Sequence, residues 1–346
     1  MNTNKKIKVG ILGCNGLVGQ RLIEALSEHP VFEVSALFGR DEKQGRPYYD
    51  VVDWVCNSKL NKRIAEIKIS SVDDQKACEG IKLFFSALSA DAAIVIEPKL
   101  RSRGCGVVSN ARSFRMEKDV PLLVPEINAH SVELIIEQKK KYNGGFIATN
   151  PNCSVIGVAL ALAPIEQALG IKSLNIVSMQ ALSGGGLTGL SNPQAKANVI
   201  PYIADEEDKM LQELPKVFSR TDIDIKIRSN RVPVVDGHTF VIWFRTKKPS
   251  TKQEILKLWK TFKPECGLLP SISTEPCLYK IYDADSFMPQ PKADAWYMNG
   301  MGTAVGRLEQ ISTTEFCVTA VSNNIVRGAA GGTILIAETL YDRGMI

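Results

Sequence analysis

KIKVGILGCNGLVGQRLIEALS, residues 6–27, sets a strand, a glycine turn and a helix in immediate succession. Lys6 to Leu12 is a short run with β-branched residues and fits a buried strand. From Val18 to Ser27 the apolar residues recur at helical spacing. Gly10, Gly13, Gly16 and Gly19 join the two, in a GxxGxxG rather than a GxGxxG pattern. A pyrophosphate needs close backbone approach, which a Cβ would block, and the helix N-terminus offers free N–H groups and a positive dipole end. Gly13, Asn15, Gly16, Leu17, Val18 and Gly19 are therefore candidate dinucleotide contacts. Glycines at a tight turn can also be purely structural, and the loop alone leaves both readings open.

The same rhythm continues outward. Phe32 to Phe38 and Ile81 to Ser86 read as strands, Ala90 to about Glu97 as a helix that Pro98 ends, and Gly106 to Ser109 as a further strand. Strand, helix, strand implies parallel pairing with crossovers, an α/β fold. The second strand ends in Phe38-Gly39-Arg40, where an NAD site usually carries an acidic residue for the ribose 2′-hydroxyl. Arg40 suits a 2′-phosphate and hence NADP; the plainer reading is a solvated arginine beside Asp41.

Residues 144–152, GGFIATNPN, form a breaker cluster and place a domain boundary near residue 150. Beyond it Ser154 to Leu169 has a helical pattern, Ser173 to Ala181 a strand pattern, and Ser183 to Gly189 is a glycine-rich loop. Asn198 to Leu214 reads as an acidic helix, Arg231 to Thr246 as a strand and Lys252 to Phe262 as a helix. Asp285 to Gly302 reads as a long loop, Arg307 to Val321 as one or two strands, and Ala329 to Tyr341 as a last helix that returns to the first domain.

A length of 346 residues suggests two domains. With 45% hydrophobic and 23% charged residues, the chain is globular in composition rather than disordered. The net charge of +5 is mild and unclustered, which argues against nucleic acid but would not repel an anionic substrate. The basic, then apolar start imitates a secretion signal, but its glycines interrupt the run, and no stretch is apolar enough to span a membrane. Eight cysteines are scattered singly, with no CxxC pair and no zinc-type spacing to the three histidines. That points to a reduced, cytoplasmic chain without a metal site.

Cys153 stands apart from the other seven. It lies in Thr149-Asn150-Pro151-Asn152-Cys153-Ser154, directly before a long helix, where the dipole and free N–H groups stabilise a thiolate. Asn152 either caps that helix or contacts substrate, orienting it or donating to an oxyanion. A thiolate nucleophile needs a proton-handling partner. His29 reads as a surface residue at a helix exit and His130 sits at a helix start. His238, after Asp236-Gly237 at the head of a strand, is the one placed to reach into a cleft.

Several motifs in order resemble the aspartate-β-semialdehyde dehydrogenase family over almost the whole length. They are the first glycine loop, Phe85-Ser86-Ala87-Leu88, Val108-Ser109-Asn110-Ala111 with Phe114-Arg115-Met116, and Asn150-Pro151-Asn152-Cys153-Ser154. Gln180-Ala181-Leu182-Ser183-Gly184, Asn230-Arg231 with Gly237-His238-Thr239, and two stretches closer to the archaeal and fungal branch complete the set: NVIPYI at 198–203 and RGAAGG at 327–332. The second glycine loop, Cys14 and Arg112 depart from the usual pattern.

The resemblance implies a Rossmann-like dinucleotide domain over residues 1–152, joined by a C-terminal helix at about 325–346. It implies an α+β catalytic and dimerisation domain with a mixed sheet over 153–324. Cys153 would be the nucleophile and His238 the acid/base. Gln180 would position substrate and nicotinamide, Arg231 would hold the substrate carboxylate, and Glu206 its amino group. Lys209, Asn110 and Arg115 would bind phosphate. Ser86, Ala87, Leu88, Ser183, Gly184, Gly185 and Asn324 would line the cofactor site. The implied reaction is NADPH-dependent reduction of L-4-aspartyl phosphate to the semialdehyde through a Cys153 thioester, on the route to lysine, threonine and methionine, by a homodimer or homotetramer. The rivals are malonyl-CoA reductase, N-acetyl-γ-glutamyl-phosphate reductase and a non-catalytic NADP-sensing protein.

Overall fold

The opening strand and helix form where their pattern predicts them. In the computed structural model, which describes residues 6–195, 197–272, 277–284 and 288–346, β1 (Ile7–Leu12) leads through the glycine turn into a helix at Leu17–Leu26. β2 (Phe32–Phe38), β3 (Ile69–Ser70), β4 (Leu83–Ser86), β5 (Gly106–Ser109) and β6 (Phe146–Thr149) follow. All pair in parallel, in the order β3-β2-β1-β4-β5-β6. Strand order reverses beside β1, so the C-terminal ends of β1 and β4 flank the switch point of a doubly wound sheet, where such folds bind ligands.

The local pattern misleads at two places. The cluster at 144–152 hides β6, whose four residues are wholly buried between a glycine pair and Asn-Pro-Asn. The helix at Ala90–Ser102 runs through Pro98 instead of ending there. The proline removes a hydrogen bond to the carbonyl of Ile94, and that residue is exposed, so its carbonyl lies where solvent can reach it.

Glu97, next to that proline, is buried, and Ser109 Oγ donates to its Oε1 at 2.6 Å. Burial pushes its carboxyl up from 4.5 to about 7. The folded state therefore holds a proton that the unfolded chain releases, and stability falls as pH rises from about 4.5 to about 7. Glu97→Gln removes this penalty. Its gain in Tm over the parent should be larger at pH 8 than at pH 5, by the equivalent of about 1–3 kcal/mol; equal gains at the two pH values would refute it.

The second sheet takes the order β10-β11-β12-β9-β7-β8, with β7 (Ile171–Gln180), β8 (Asp224–Arg231), β9 (His238–Thr246), β10 (Tyr279–Tyr282), β11 (Thr303–Gln310) and β12 (Glu315–Ser322). It is mixed: β7–β8 and β10–β11 are parallel, the other pairs antiparallel. Against it lies the helix Cys153–Leu169, apolar all round and buried from Ser154 to Ile165. Pro164 inside this helix leaves the carbonyl of Leu160 without its usual donor. Tyr279 Oη donates to that oxygen at 2.8 Å, and Trp259 Nε1 to the neighbouring carbonyl of Ala161 at 2.8 Å.

The chain divides into one unit of Met1–Leu123, His130–Asn150 and Thr333–Ile346, and a second of Val124–Ala129 and Pro151–Gly332. The last helix, Gly331–Asp342, brings Glu338 to His29 Nε2 at 2.8 Å, and His29 is buried rather than on the surface. Residues 198–205 are not helical; the helix begins at Glu206, after Asp205 at φ +62°, and runs to Phe218. Residues 285–287 of the expected long loop lie outside the described residues, and short turns fill Pro291–Asp294 and Tyr297–Gly300.

Candidate active site

Asn150-Pro151-Asn152 leads from β6 into the long helix of the second unit, with Asn152 as the N-cap. Its Oδ1 accepts from the N–H groups of Ser154 (2.9 Å) and Val155 (3.4 Å). Cys153 is then the first helical residue, and its Sγ lies 3.3 Å from His238 Nε2. Behind it the chain passes as backbone only: a Cβ on Gly328 would stand 2.6 Å from the Cβ of Cys153.

His238 opens β9, just after Gly237 at φ +93°, and is buried. Its Nδ1 accepts the N–H of Ala181 at 3.0 Å. That contact puts the lone pair on Nδ1 and the ring proton on Nε2, facing the sulfur. Burial, and then the Arg231 cation, push its pKa down from 6.5 to about 3. The ring is therefore a neutral Nε2–H donor.

Arg231 ends β8 and donates from Nη1 to the carbonyl of Ala181 at 2.6 Å. Ala181 thus holds both side chains with its two backbone groups. The backbone of Arg231 is held as well, by a two-way bridge to Ile200. A Cβ on Gly184 would lie 2.7 Å from Arg231 Nη1, so the glycine loop packs directly on the guanidinium. Gly185 has no heavy atom near its missing Cβ, and Asn324 Nδ2 donates to Ser183 Oγ at 2.9 Å.

Glu206 is the hub of a buried cluster. It accepts from Asn152 Nδ2 at 3.1 Å, Gln180 Nε2 at 3.2 Å and Lys209 Nζ at 2.8 Å. Sequence reasoning missed one member. Glu213, buried on the same helix, accepts the backbone N–H of Asn152 at 2.6 Å. The signal was present: Glu206 and Glu213 are two turns apart, on the face that also carries the buried Met210, Leu214 and Val217.

In the first unit, three glycines divide the work of the loop. Gly13 turns the chain at φ +75°, and a Cβ there would meet the carbonyl of Ala87 at 2.6 Å. A Cβ on Gly19 would collide with Gly13 and Cys14. Gly16, the uncapped N-cap of its helix, has nothing closer than 3.6 Å and is exposed. Gly13 and Gly19 therefore serve the fold, while Gly16 leaves an open cradle, as a pyrophosphate needs. Asn15 Nδ2 donates to the carbonyl of Val51 at 3.1 Å. Leu17 and Val18 start the helix, Ala87 and Leu88 are half-exposed beyond buried Ser86, and Arg40 is exposed after β2.

Asn110 and Arg115 meet at the end of β5. Arg115 Nη2 donates to the carbonyl of Asn110 at 2.7 Å, and Asn110 Oδ1 accepts from Asn150 Nδ2 at 3.1 Å. Among the described residues no cluster of histidines, cysteines and carboxylates could hold a metal ion, and no helix is long and apolar enough to cross a membrane.

Residues 8–135 match the family description "Semialdehyde dehydrogenase, NAD binding domain", and residues 162–327 match "Semialdehyde dehydrogenase, dimerisation domain". The chain is 35% identical to the aspartate-semialdehyde dehydrogenase of Archaeoglobus fulgidus, over 99% of this chain and 100% of that protein. It is 31% identical to a malonyl CoA reductase (NADP) of Metallosphaera sedula, over 99% of each. The crystal structure of aspartate semialdehyde dehydrogenase with NADP from Candida albicans superposes with a TM-score of 0.88 at 31% identity, over 98% of this chain and 100% of that one.

Proposed function

The chain belongs to the semialdehyde dehydrogenase family, in the archaeal and fungal branch of the aspartate-semialdehyde dehydrogenases, and from that premise we propose that it reduces L-4-aspartyl phosphate to L-aspartate 4-semialdehyde with NADPH. The observation that carries this reading is the Cys153–His238 pair at the head of a helix, 3.3 Å apart. Full-length relatives in archaea and fungi share the activity by name.

The Cys153 thiolate attacks the acyl carbon of the acyl phosphate, phosphate leaves, and a thioester forms. The Gly13–Gly19 loop and Arg40 would hold the cofactor, which when bound would supply hydride as NADPH or accept it as NADP. The tetrahedral oxyanion on Cys153 then collapses to aldehyde and thiolate. His238 Nε2–H donates first to the oxyanion and then to the departing sulfur. Neither step requires the ring to gain or lose its proton, which narrows the acid/base role implied by resemblance to that of a fixed donor. Arg231 takes the substrate α-carboxylate. Glu206 takes the amino group, with Gln180 and Asn152 fixing its carboxylate. Lys209 in the second unit, and Asn110 and Arg115 in the first, are the candidate phosphate ligands. Ser86, Ala87 and Leu88 in the first unit, and Ser183, Gly184, Gly185 and Asn324 in the second, are the further candidate cofactor contacts.

Copies pair, on this reading, through the outer face of the second sheet. There Val177, Ile225, Leu211 and the partly exposed Trp243 line a groove of about 440 Å³ within the region that matches the dimerisation domain. All eight cysteines are free thiols, which supports a reducing cytoplasmic setting.

The test is NADP reduction by aspartate semialdehyde with and without inorganic phosphate, run beside NAD, together with NADPH oxidation by L-4-aspartyl phosphate, malonyl-CoA and N-acetyl-γ-glutamyl phosphate. Phosphate-dependent turnover with NADP, at least about tenfold above the other substrates in kcat/KM, is the expected result. Preference for malonyl-CoA would transfer the chain to the activity named for its Metallosphaera relative.

A further inference from the structure

We propose that Glu213 is a positioning residue for the nucleophile, completing the N-terminal cap of the Cys153 helix from a second helix. In a local capping box, the residue three positions into the helix is an acid that reaches back to the N–H of the N-cap. The helix Lys252–Thr261 does this with Thr251 and Glu254. The Cys153 helix cannot, because its third position is Val155, fully buried in the core. Its N-cap N–H, on Asn152, is instead taken by Glu213 Oε2 at 2.6 Å, a short contact of the charge-assisted kind.

The same residue is gripped a second time, since Asn152 Nδ2 donates to both oxygens of Glu206 at 3.1 Å. Two carboxylates from one helix thus hold the backbone and the side chain of the residue before Cys153. Glu206 carries the proposed contact to the substrate amino group, whereas the contact of Glu213 is to the backbone of the residue before Cys153. Its contact sets where the helix starts, and so where Sγ stands relative to His238 Nε2. A shift of about 1 Å at a reacting group can lower the rate about a hundredfold.

The inference rests on the proposed function for its turnover readout, but not for its second readout, the rate at which iodoacetamide alkylates Cys153. Glu213→Gln and Glu213→Leu both remove the charge, and only Gln retains an acceptor, so the difference between them isolates the hydrogen bond. Expected are a kcat for the Gln variant within about threefold of the parent, and a kcat for the Leu variant at least about tenfold below the Gln variant. KM for aldehyde, phosphate and NADP should move less than about twofold, and Cys153 alkylation at pH 7 should slow in step with kcat. Rates are taken per folded molecule from the calorimetric unfolding signal. Where Leu prevents folding, Glu213→Asp replaces it, because its carboxylate is withdrawn by one methylene. Equal turnover and equal alkylation in the Gln and acceptor-poor variants would overturn the proposal. A parent without phosphate-dependent turnover would overturn the function instead, while the alkylation comparison still decides the role of Glu213.

Discussion

Cys153→Ala should abolish phosphate-dependent NADP reduction, lowering kcat by about 10⁴-fold or more, while the Tm and the affinity for NADP stay near those of the parent. The other seven cysteines cannot take over. Cys14, for example, is buried in the glycine loop, and desolvation pushes its thiol up to about 12. Cys153 alone combines a helix N-terminus, a capping asparagine and an imidazole donor at 3.3 Å. Removing Sγ deletes only a half-buried atom, so the fold should tolerate it. Cys153→Ser is a harder test. Its hydroxyl keeps the shape but is ionised far less at neutral pH, and it too should lose at least about 10³-fold. Retention of more than about one per cent of kcat in the Ala variant would rule out the thioester route.

His238→Ala should lower kcat by about 10²–10⁴-fold, corresponding to about 3–5 kcal/mol of transition-state stabilisation. His238→Gln should recover part of that, since an amide nitrogen can stand near the place of Nε2. Recovery is expected only if the residue acts as a donor. A group that shuttles protons could not be replaced by an amide, so equal losses in the two variants would restore the acid/base assignment. Because the folded pKa is displaced from 6.5 to about 3, the parent should show no inflection in kcat from this ring between pH 5 and 8. Stability gives an independent reading. Between about 6.5 and 3 the unfolded chain takes up a proton that the folded protein refuses. The parent therefore loses stability as pH falls through that window, and the Gln variant is spared this part of the loss.

The frame of the molecule was readable in its sequence where patterns are local. The strand, glycine turn and helix at the start, and the helix behind Cys153, follow from spacing alone. Cys153 was visible because an asparagine cap and a long apolar run mark a helix start. His238 was visible as the histidine after a bend at the head of a strand. What escaped has a common cause: it depends on partners far away in the chain. β6 is four residues long and looks like a linker until β5 is beside it. His29 looks exposed until Glu338, over 300 residues later, is brought to it. The stretch from Asn198 to Asp205 reads as the start of an acidic helix, yet Ile200 pairs with Arg231 in an isolated bridge and a turn precedes Glu206. Glu213 is one more acid in an acidic helix until its contact with Asn152 is seen.

Ala181 carries a further consequence. Its N–H holds His238 and its carbonyl holds Arg231, yet its side chain, fully buried, touches neither function. Main-chain groups are common to every residue except proline, which lacks the N–H. Natural selection can therefore see this position only through the volume of its side chain. Drift among small residues there should be silent for the reaction, and two of the groups that orient the chemistry are passed on without being written in any particular amino acid.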